Sequence, residues 1–488
     1  MLKTQSITAF LKKPGFVLVL ILATFFLKGV FIATIFPIFS GQDETRHYNT
    51  IQYLAEPKEK TWPIQKDVKQ TGGGGIAVNN FSEEIRGVGG LTDLSAYRKE
   101  LFLKQMFTTS YDGKNEDIIN QQIWKPYNEL YPPNIADSGN SFYHLMVSYI
   151  EKIFSHKSIL FRFFIERIFS VILGTLGILF VYLIVKNIGF ESKNSLIMTA
   201  IISFQPKIST YFTNISYDAL LIPLFFLFTL GGVLSIKNGI NWKNVSLMLI
   251  AAILGPLTKG TGIILLGSFI LLMVFHSYNF YKNTSDKKRV KKYFLVSLAL
   301  VILAIIIFFK IYSLSTILPS SGDTKKSVAD YLSTSLTVGR LGLSSRTYWG
   351  ALDWTANDHL GAIINTIWVI EIISAIGLVW FFFSKKKPEY LPEKKYVIFL
   401  IAMVVALQLG IRYYDCKIFM ERGSLDLGTP GRYFLPNIAA HIALVFTGLG
   451  MLLRKEKYFR ASLIISFLLV FSYCLYMIFD VVMPRFYF

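Results

Sequence analysis

The sequence predicts an all-α polytopic membrane protein with about 11 membrane-spanning helices. Three observations predict it. Of 488 residues, 53% are apolar and 15% aromatic. The apolar residues gather in repeated runs close to the roughly 20 residues that a helix needs to cross about 30 Å of hydrocarbon. The formal net charge of +19 is carried by Lys and Arg clustered between those runs, as expected where basic loops remain cytoplasmic. That clustering argues against nucleic acid as a partner and for a lipid bilayer. Cys416 and Cys474 are too few for a disulfide framework and lack metal spacing.

The first span is expected within residues 1–38, from about residue 16 onward. Lys12 and Lys13 precede it, which places the N-terminus in the cytoplasm. The segment is long and no A-x-A-like site follows, so it reads as an uncleaved helix rather than a signal peptide. Residues 39–158 then form a large extracytoplasmic loop carrying interfacial helices. In it, DETRHYNTIQYLAE has helical apolar spacing and is expected to lie along the membrane surface. TGGGGIAVNN and RGVGG read as a mobile loop, because no Gly-Lys-Ser or Gly-Lys-Thr follows to make a phosphate loop. SFYHLMVSYIEKIF is too short to span and reads as an interfacial helix.

Residues 159–315 are expected to hold spans two to seven, at about 159–186, 195–213, 218–236, a two-helix hairpin over 245–275, and 293–315. The hairpin is inferred from charge. Lys237 and Lys243 on one flank and KNTSDKKRVKK on the other belong on the same side, which requires an even number of crossings, with the break at GPLTKGTG. A second extracytoplasmic loop covers 316–360. Residues 361–488 supply spans eight to eleven, at about 361–383, 396–411, 433–453 and 461–483, with SKKKPEYLPEKK and RKEKYFR inside and 412–432 outside.

The polar residues left in or beside the outer regions follow an order that resembles the C-type (GT-C) membrane glycosyltransferases, and within them a bacterial family of predicted membrane proteins of unknown function. The features are the acidic pair Asp43 and Glu44 after the first helix, with His47 following; Pro132, Pro133 and Tyr143 before the second span; and Arg167 at its start. Then come Pro206 and the NISYD run from Asn214 to Asp218, Lys259 in the hairpin, TYWGALDW at 347–354, and GRYFLP at 431–436. The similarity covers nearly the whole chain, and no motif is specific alone. Relatives often carry proline near the acidic pair, where this chain has Gly41 and Gln42, a departure that bears on loop geometry rather than chemistry. The resemblance implies a GT-C-like fold in the bacterial cytoplasmic membrane. It also implies an extracytoplasmic active site that moves a sugar from a polyprenyl-phosphate donor to a glycan or lipid-linked acceptor.

Such a transfer needs a base at the attacking hydroxyl and positive charge at the departing phosphate. Asp43 is the candidate base and Glu44 the alternative, although both also read as solvated acids past a helix end. His47, four residues after Asp43, shares its face if the segment is helical and is a candidate to orient the acid or contact phosphate; an ordinary surface histidine is the other reading. Asp218 is either a functional acid at the mouth of a span or a helix cap. Arg167, with Glu166 and Arg162, reads as a structural ion-pair cluster or as part of the site. Lys259 and Arg432 are the phosphate candidates, against simple snorkelling to the surface. Arg412 is weaker, and Tyr433 follows Arg432. Tyr348, Trp349 and Trp354 are placed to stack on a sugar or to belong to an interfacial aromatic belt. Asp353, Asp358 and His359 lie nearby. No spacing is a metal signature, and the need for a divalent cation is left open.

Three function classes fit: an inverting lipid-linked sugar transferase, a polysaccharide polymerase or ligase using a lipid-linked oligosaccharide, and a transporter or lipid flippase. Transporters often pair two halves with interrupted helices. No convincing internal repeat is present here, and the long first loop favours an external active site.

Overall fold

The computed structural model describes residues 14–41, 43–55, 141–283, 326–350, 360–425 and 430–484, with isolated positions within 82–88 and 295–306. Every regular element among them is helical. In chain order these are α1 (Pro14–Ile35), α2 (Glu44–Ala55), α3 (Phe142–Ile153), α4 (Ile159–Asn187), α5 (Ser192–Phe204), α6 (Pro206–Tyr211), α7 (Asp218–Asn238), α8 (Trp242–Thr258) and α9 (Ile263–Asn283). They continue with α10 (Val328–Ser335), α11 (Val338–Trp349), α12 (Leu360–Phe383), α13 (Lys394–Arg422), α14 (Ile438–Leu453) and α15 (Glu456–Tyr476). A 3-10 segment, Gly431–Asn437, leads directly into α14.

The all-helical polytopic architecture expected from the sequence is the one observed. Seven stretches among the described residues are long and apolar enough to span: α1, α4, α7, α12, α13, Gly431–Leu453 and α15. The segment expected at 195–213 is not one helix. α5 ends before Gln205, whose ψ of 123° is extended, because the residue before a proline is pushed out of the α region. Pro206 then opens α6, and Gln205 caps it by accepting from the Ile208 amide at 2.6 Å. The hairpin at 245–275 resolves into α8 and α9. A straight helix would hold residues seven apart about 10 Å from each other, yet a Cβ on Gly262 would collide with the Gly255 backbone. The chain therefore doubles back sharply at Lys259. α13 runs past the expected 396–411, takes in Arg412 and shortens the loop expected at 412–432. The span expected at 293–315 lies largely outside the described residues, as do TGGGGIAVNN, most of RGVGG, Pro132, Pro133, Trp354, Asp353, Asp358 and His359.

Burial separates the centre from the rim. The apolar window of α7 is 83% buried and that of Gly431–Leu453 78%, against 22% for α1, 17% for α12 and 22% for α15. Rim side chains such as Leu27, Ile372, Ile376 and Leu469 are exposed, an arrangement suited to lipid rather than water. Without a hydrophobic drive between helices in lipid, association relies on close packing through small residues. Gly174 and Gly177 of α4 admit Phe212, Pro223 and Phe226, and Gly377 of α12 meets Gly448 of α14 backbone to backbone.

α2 forms the helix its spacing predicts, but it does not lie on the surface. Glu44, His47, Tyr48, Asn49, Thr50 and Gln52 are all buried. Burial is tolerable because these polar groups are paired. Gln52 donates to Glu84 at 2.6 Å and Tyr48 to Glu151 at 3.1 Å, and Arg162 of α4 bonds Glu84, Glu151 and Tyr48.

The basic connections gather at one end of the bundle. Lys237, at the end of α7, reaches Asn187 at the end of α4 at 3.0 Å. Arg460, at the start of α15, pairs with Glu191 before α5 at 2.8 Å. Tyr390, in the lysine-rich turn between α12 and α13, donates to Gly450 near the end of α14 at 2.9 Å.

Candidate active site

The loop that carries Asp43 is shaped by Arg167. α1 ends with unpaired carbonyls, as every helix does, and the Arg167 guanidinium collects them, donating to Ala33 O at 3.0 Å, Phe36 O at 2.6 Å and Pro37 O at 2.9 Å. Its remaining donors make a two-point ion pair with Glu44, at 2.9 and 2.7 Å. Glu44 in turn accepts from the amides of Gly41 at 2.9 Å and Ile215 at 3.0 Å. One carboxylate thus ties together the end of α1, the start of α2 and the turn before α7. Arg162 and Arg167 do form buried ion pairs, though with Glu84, Glu151 and Glu44 rather than with Glu166.

Asp43 stands at the entry of α2 with φ of +55°. Few residues other than glycine occupy this left-handed region, and aspartate is among those that tolerate it. Its carbonyl accepts from the Arg46 and His47 amides at 3.0 and 3.1 Å, so the strained residue also starts the helix. It lines a small, solvent-open cleft together with His47, Tyr211, Asn214, Ser216, Tyr217, Asp218, Lys259, Arg432 and Tyr433. Each wall comes from a terminus: the start of α2, the turn before α7, the α8–α9 reversal and the segment before α14. By connectivity, this is the end of the bundle opposite the basic turns.

The charges in the cleft are arranged asymmetrically. Lys259 is held by both oxygens of Asp218, at 2.9 and 3.1 Å, and its ammonium lies 4.6 Å from the Tyr217 ring and 4.7 Å from the Tyr433 ring. Arg432 stacks on Tyr433 at 5.0 Å, and among the described residues no carboxylate lies within ion-pair distance of it. Asp43 acts on Arg432 only at longer range. Among the described residues the cleft therefore holds one cation positioned by a carboxylate and one that is not.

On the other wall, His47 Nδ1 and His144 Nε2 are 2.8 Å apart, and the Tyr217 ring meets His47 edge-on at 4.6 Å. Burial, with Lys259 and Arg46 nearby, lowers the His47 pKa to about 3. Burial and then His47 push His144 well below the usual imidazole value. Both shifts favour the neutral ring.

Of the residues singled out in the sequence, Asp43, His47, Asp218, Lys259, Arg432 and Tyr433 converge on this cleft. Glu44 and Arg167 lie behind it, engaged with each other. Tyr348 and Trp349 lie outside it. Tyr348 bonds His441 at 2.9 Å, and His441 faces Glu371 at 3.3 Å. The helix that carries them nonetheless braces the cleft, because Thr347 Oγ1 of α11 accepts from the Gly431 amide at 2.7 Å, next to Arg432. Arg412 lies over Phe434, and Tyr143 bonds Ser170 at 2.7 Å. Sequence reasoning did not single out Tyr211, Ser216, Tyr217 or His144 as site residues. Among the described residues, no three His, Cys, Asp or Glu side chains are grouped to hold a metal.

An all-helical membrane fold with an acid and cations gathered at the mouth of its spans is an arrangement suited to glycosyltransferases of the C type. Comparison with known families agrees: residues 145–309 match the dolichyl-phosphate-mannose-protein mannosyltransferase family, a family of the GT-C superfamily. The matched stretch runs from α3 through α9 and contains Arg167, Asp218 and Lys259, while Asp43 and Arg432 lie beyond it. Comparison with curated proteins and with solved structures gives no match.

Proposed function

We propose that the protein is an inverting glycosyltransferase that moves a sugar from a polyprenyl-phosphate donor to an envelope glycan or lipid-linked acceptor on the outer face of the bacterial cytoplasmic membrane. The observation that carries this reading is the meeting of Asp43, Lys259 and Arg432 in one cleft. An outer-face location is supported by the position of that cleft opposite the lysine- and arginine-rich turns, which are the cytoplasmic side under the positive-inside rule.

In this reading the Asp43 carboxylate takes the proton of the acceptor hydroxyl while that oxygen bonds to the anomeric carbon. The bond from the anomeric carbon to the phosphate oxygen breaks, and its electron pair stays on the phosphate. Arg432, which has no carboxylate partner among the described residues, forks onto the departing phosphate. Lys259 adds charge and is held in place by Asp218. Phosphate is a competent leaving group, so no separate acid is needed. Single attack with Asp43 as base inverts the anomeric centre, unlike a retaining pathway through a glycosyl-enzyme.

The test supplies a panel of polyprenyl-phosphate sugars to purified protein and measures released polyprenyl phosphate. Wild type is expected to turn over one of them, and Asp43→Asn to fall by roughly 10²–10⁴-fold. Equal turnover by the two removes Asp43 from the base role. Turnover only with a lipid-linked oligosaccharide points to a polymerase or ligase. Lipid movement in vesicles without sugar transfer points to a flippase.

A further inference from the structure

The pairing of His47 with His144 leads to an assignment beyond the general reaction. His144 is fully buried, and its Nδ1 has no hydrogen-bond partner among the described residues. Its Nε2 is the nitrogen that meets His47 Nδ1. A neutral imidazole carries a single N–H. A buried N–H left without an acceptor is rarer than a lone pair left without a donor, so the His144 proton belongs on Nε2, where it is donated to His47 Nδ1. The hydrogen-bond network then leaves His47 with its own proton on Nε2. His47 lines the cleft alongside Lys259 and Arg432.

We propose that His47 presents a neutral Nε2–H donor to a phosphoryl oxygen of the lipid carrier, and that His144 is a positioning residue that fixes this tautomer. The inference rests on the transferase reading above. It leaves His47 without a free lone pair, since Nδ1 accepts from His144 and Nε2 carries the proton, which leaves Asp43 as the base. A neutral donor suits this place. The departing phosphate gains charge as the bond breaks, and a donor held by a second ring needs no reorganisation as that charge develops. The edge-on Tyr217 ring fits a hydrogen-bonding role, and among the described residues no third His, Cys, Asp or Glu side chain joins the two rings.

The first measurement does not depend on turnover. 15N spectra of histidine-labelled protein, with the His47→Gln variant used to assign the His47 signals, are expected to show Nε2 protonated and Nδ1 bare. A proton on His47 Nδ1 overturns the proposal whether or not the protein transfers sugar. The second measurement reads inhibition by added short-chain polyprenyl phosphate, with inorganic phosphate as a parallel arm. His47→Leu is expected to weaken inhibition by the lipid phosphate by roughly tenfold or more. His47→Gln, whose amide can place a donor near the same point, should recover most of that loss. Inorganic phosphate, without the lipid tail, should inhibit far less in every variant. Equal inhibition of the Leu and Gln variants overturns the donor role. For His144, the Gln variant keeps a donor toward His47, whereas Leu removes it. His144→Leu is expected to lower kcat about 10–100-fold with a smaller change in KM, and His144→Gln to restore it. If both His144 variants lose activity alike, the tautomer argument fails. A failed turnover by wild type would instead remove the transferase reading and leave the 15N result standing.

Discussion

Glu44 and Asp43 are adjacent acids with different environments. Glu44 is buried and accepts from Arg167, Gly41 and Ile215, while Asp43 faces the cleft. The two should therefore fail differently on substitution. Asp43→Asn should lose transfer at an unchanged melting temperature. Glu44→Ala leaves a buried guanidinium without its carboxylate, which costs about 3–5 kcal/mol, and should lower the melting temperature as well as activity. Thermal unfolding in detergent distinguishes them, and equal melting of Glu44→Ala and wild type would remove the positioning role. The histidine pair makes a second prediction. Its folded pKa values lie below the usual 6.5 or so, with His47 at about 3. The unfolded chain therefore binds protons that the folded chain refuses as pH falls. The stabilisation is complete above about pH 6.5 and declines toward pH 3, with a slope of up to about 1.4 kcal/mol per pH unit for each imidazole. Melting curves between pH 7 and 4 should show this decline, and replacing both histidines with Gln should flatten it.

Which residues were legible in the sequence follows from their surroundings. Lys259 and Arg432 stood out as charges interrupting apolar runs, and Asp43 as an acid just past a span. Tyr211 and Tyr217 did not, because an aromatic beside a span is the ordinary case. His144 was hidden for a different reason. It sits inside an apolar interfacial segment, and its partner is 97 positions away.

At the scale of elements, long apolar helices announced themselves and polar ones misled. The hydropathy of α1, α4, α7 and α12 marked those helices to within a few residues, whereas α15 starts and ends earlier than the expected 461–483. α2 looked like a surface helix because its few apolar side chains recur at helical spacing among polar ones. Only the long-range partners Glu84, Glu151 and Arg162 make its burial possible, and no local pattern encodes them. Proline 206 was visible, but its effect of splitting a span depends on Gln205 turning back to cap α6. The contact between α12 and α14 carries its own prediction. A Cβ on Gly448 would collide with the Ser374 carbonyl, so neither helix can yield by moving a side chain alone. Gly448→Val should destabilise by about 1–3 kcal/mol or more, measured by unfolding in detergent. The damage should extend to the cleft, since α14 continues the segment that bears Arg432. An unchanged stability would show that the two helices separate more easily than their packing implies.

For the whole molecule, the decisive feature is polarity along the bundle axis, with the basic turns at one end and the cleft at the other. Cysteine labelling in intact cells tests the orientation. In a Cys416→Ser background, cysteine introduced at the exposed Ser333 of α10 should react with an impermeant reagent. Cysteine at the exposed Lys386 should react only after permeabilisation. α10 belongs to the cleft end, because Tyr331 bonds Asp415 near the end of α13 at 3.1 Å. The opposite labelling pattern would place the cleft inside the cell. This axial polarity was legible from charge clusters alone, since the cytoplasmic bias of basic loops acts on each connection independently.

The bonds from Arg167 to the carbonyls that end α1 have a consequence for synthesis. Ala33 must wait for a guanidinium 134 positions downstream. A chain emerging from the ribosome will have inserted its first span long before that group exists, with the exit carbonyls still hydrated and Asp43 unplaced. Only when the next long span enters the bilayer does the first acquire a finished end. The mouth of the cleft is thus a product of pairing two helices, and a nascent chain halted short of Arg167 would carry Asp43 without the contacts that shape its loop.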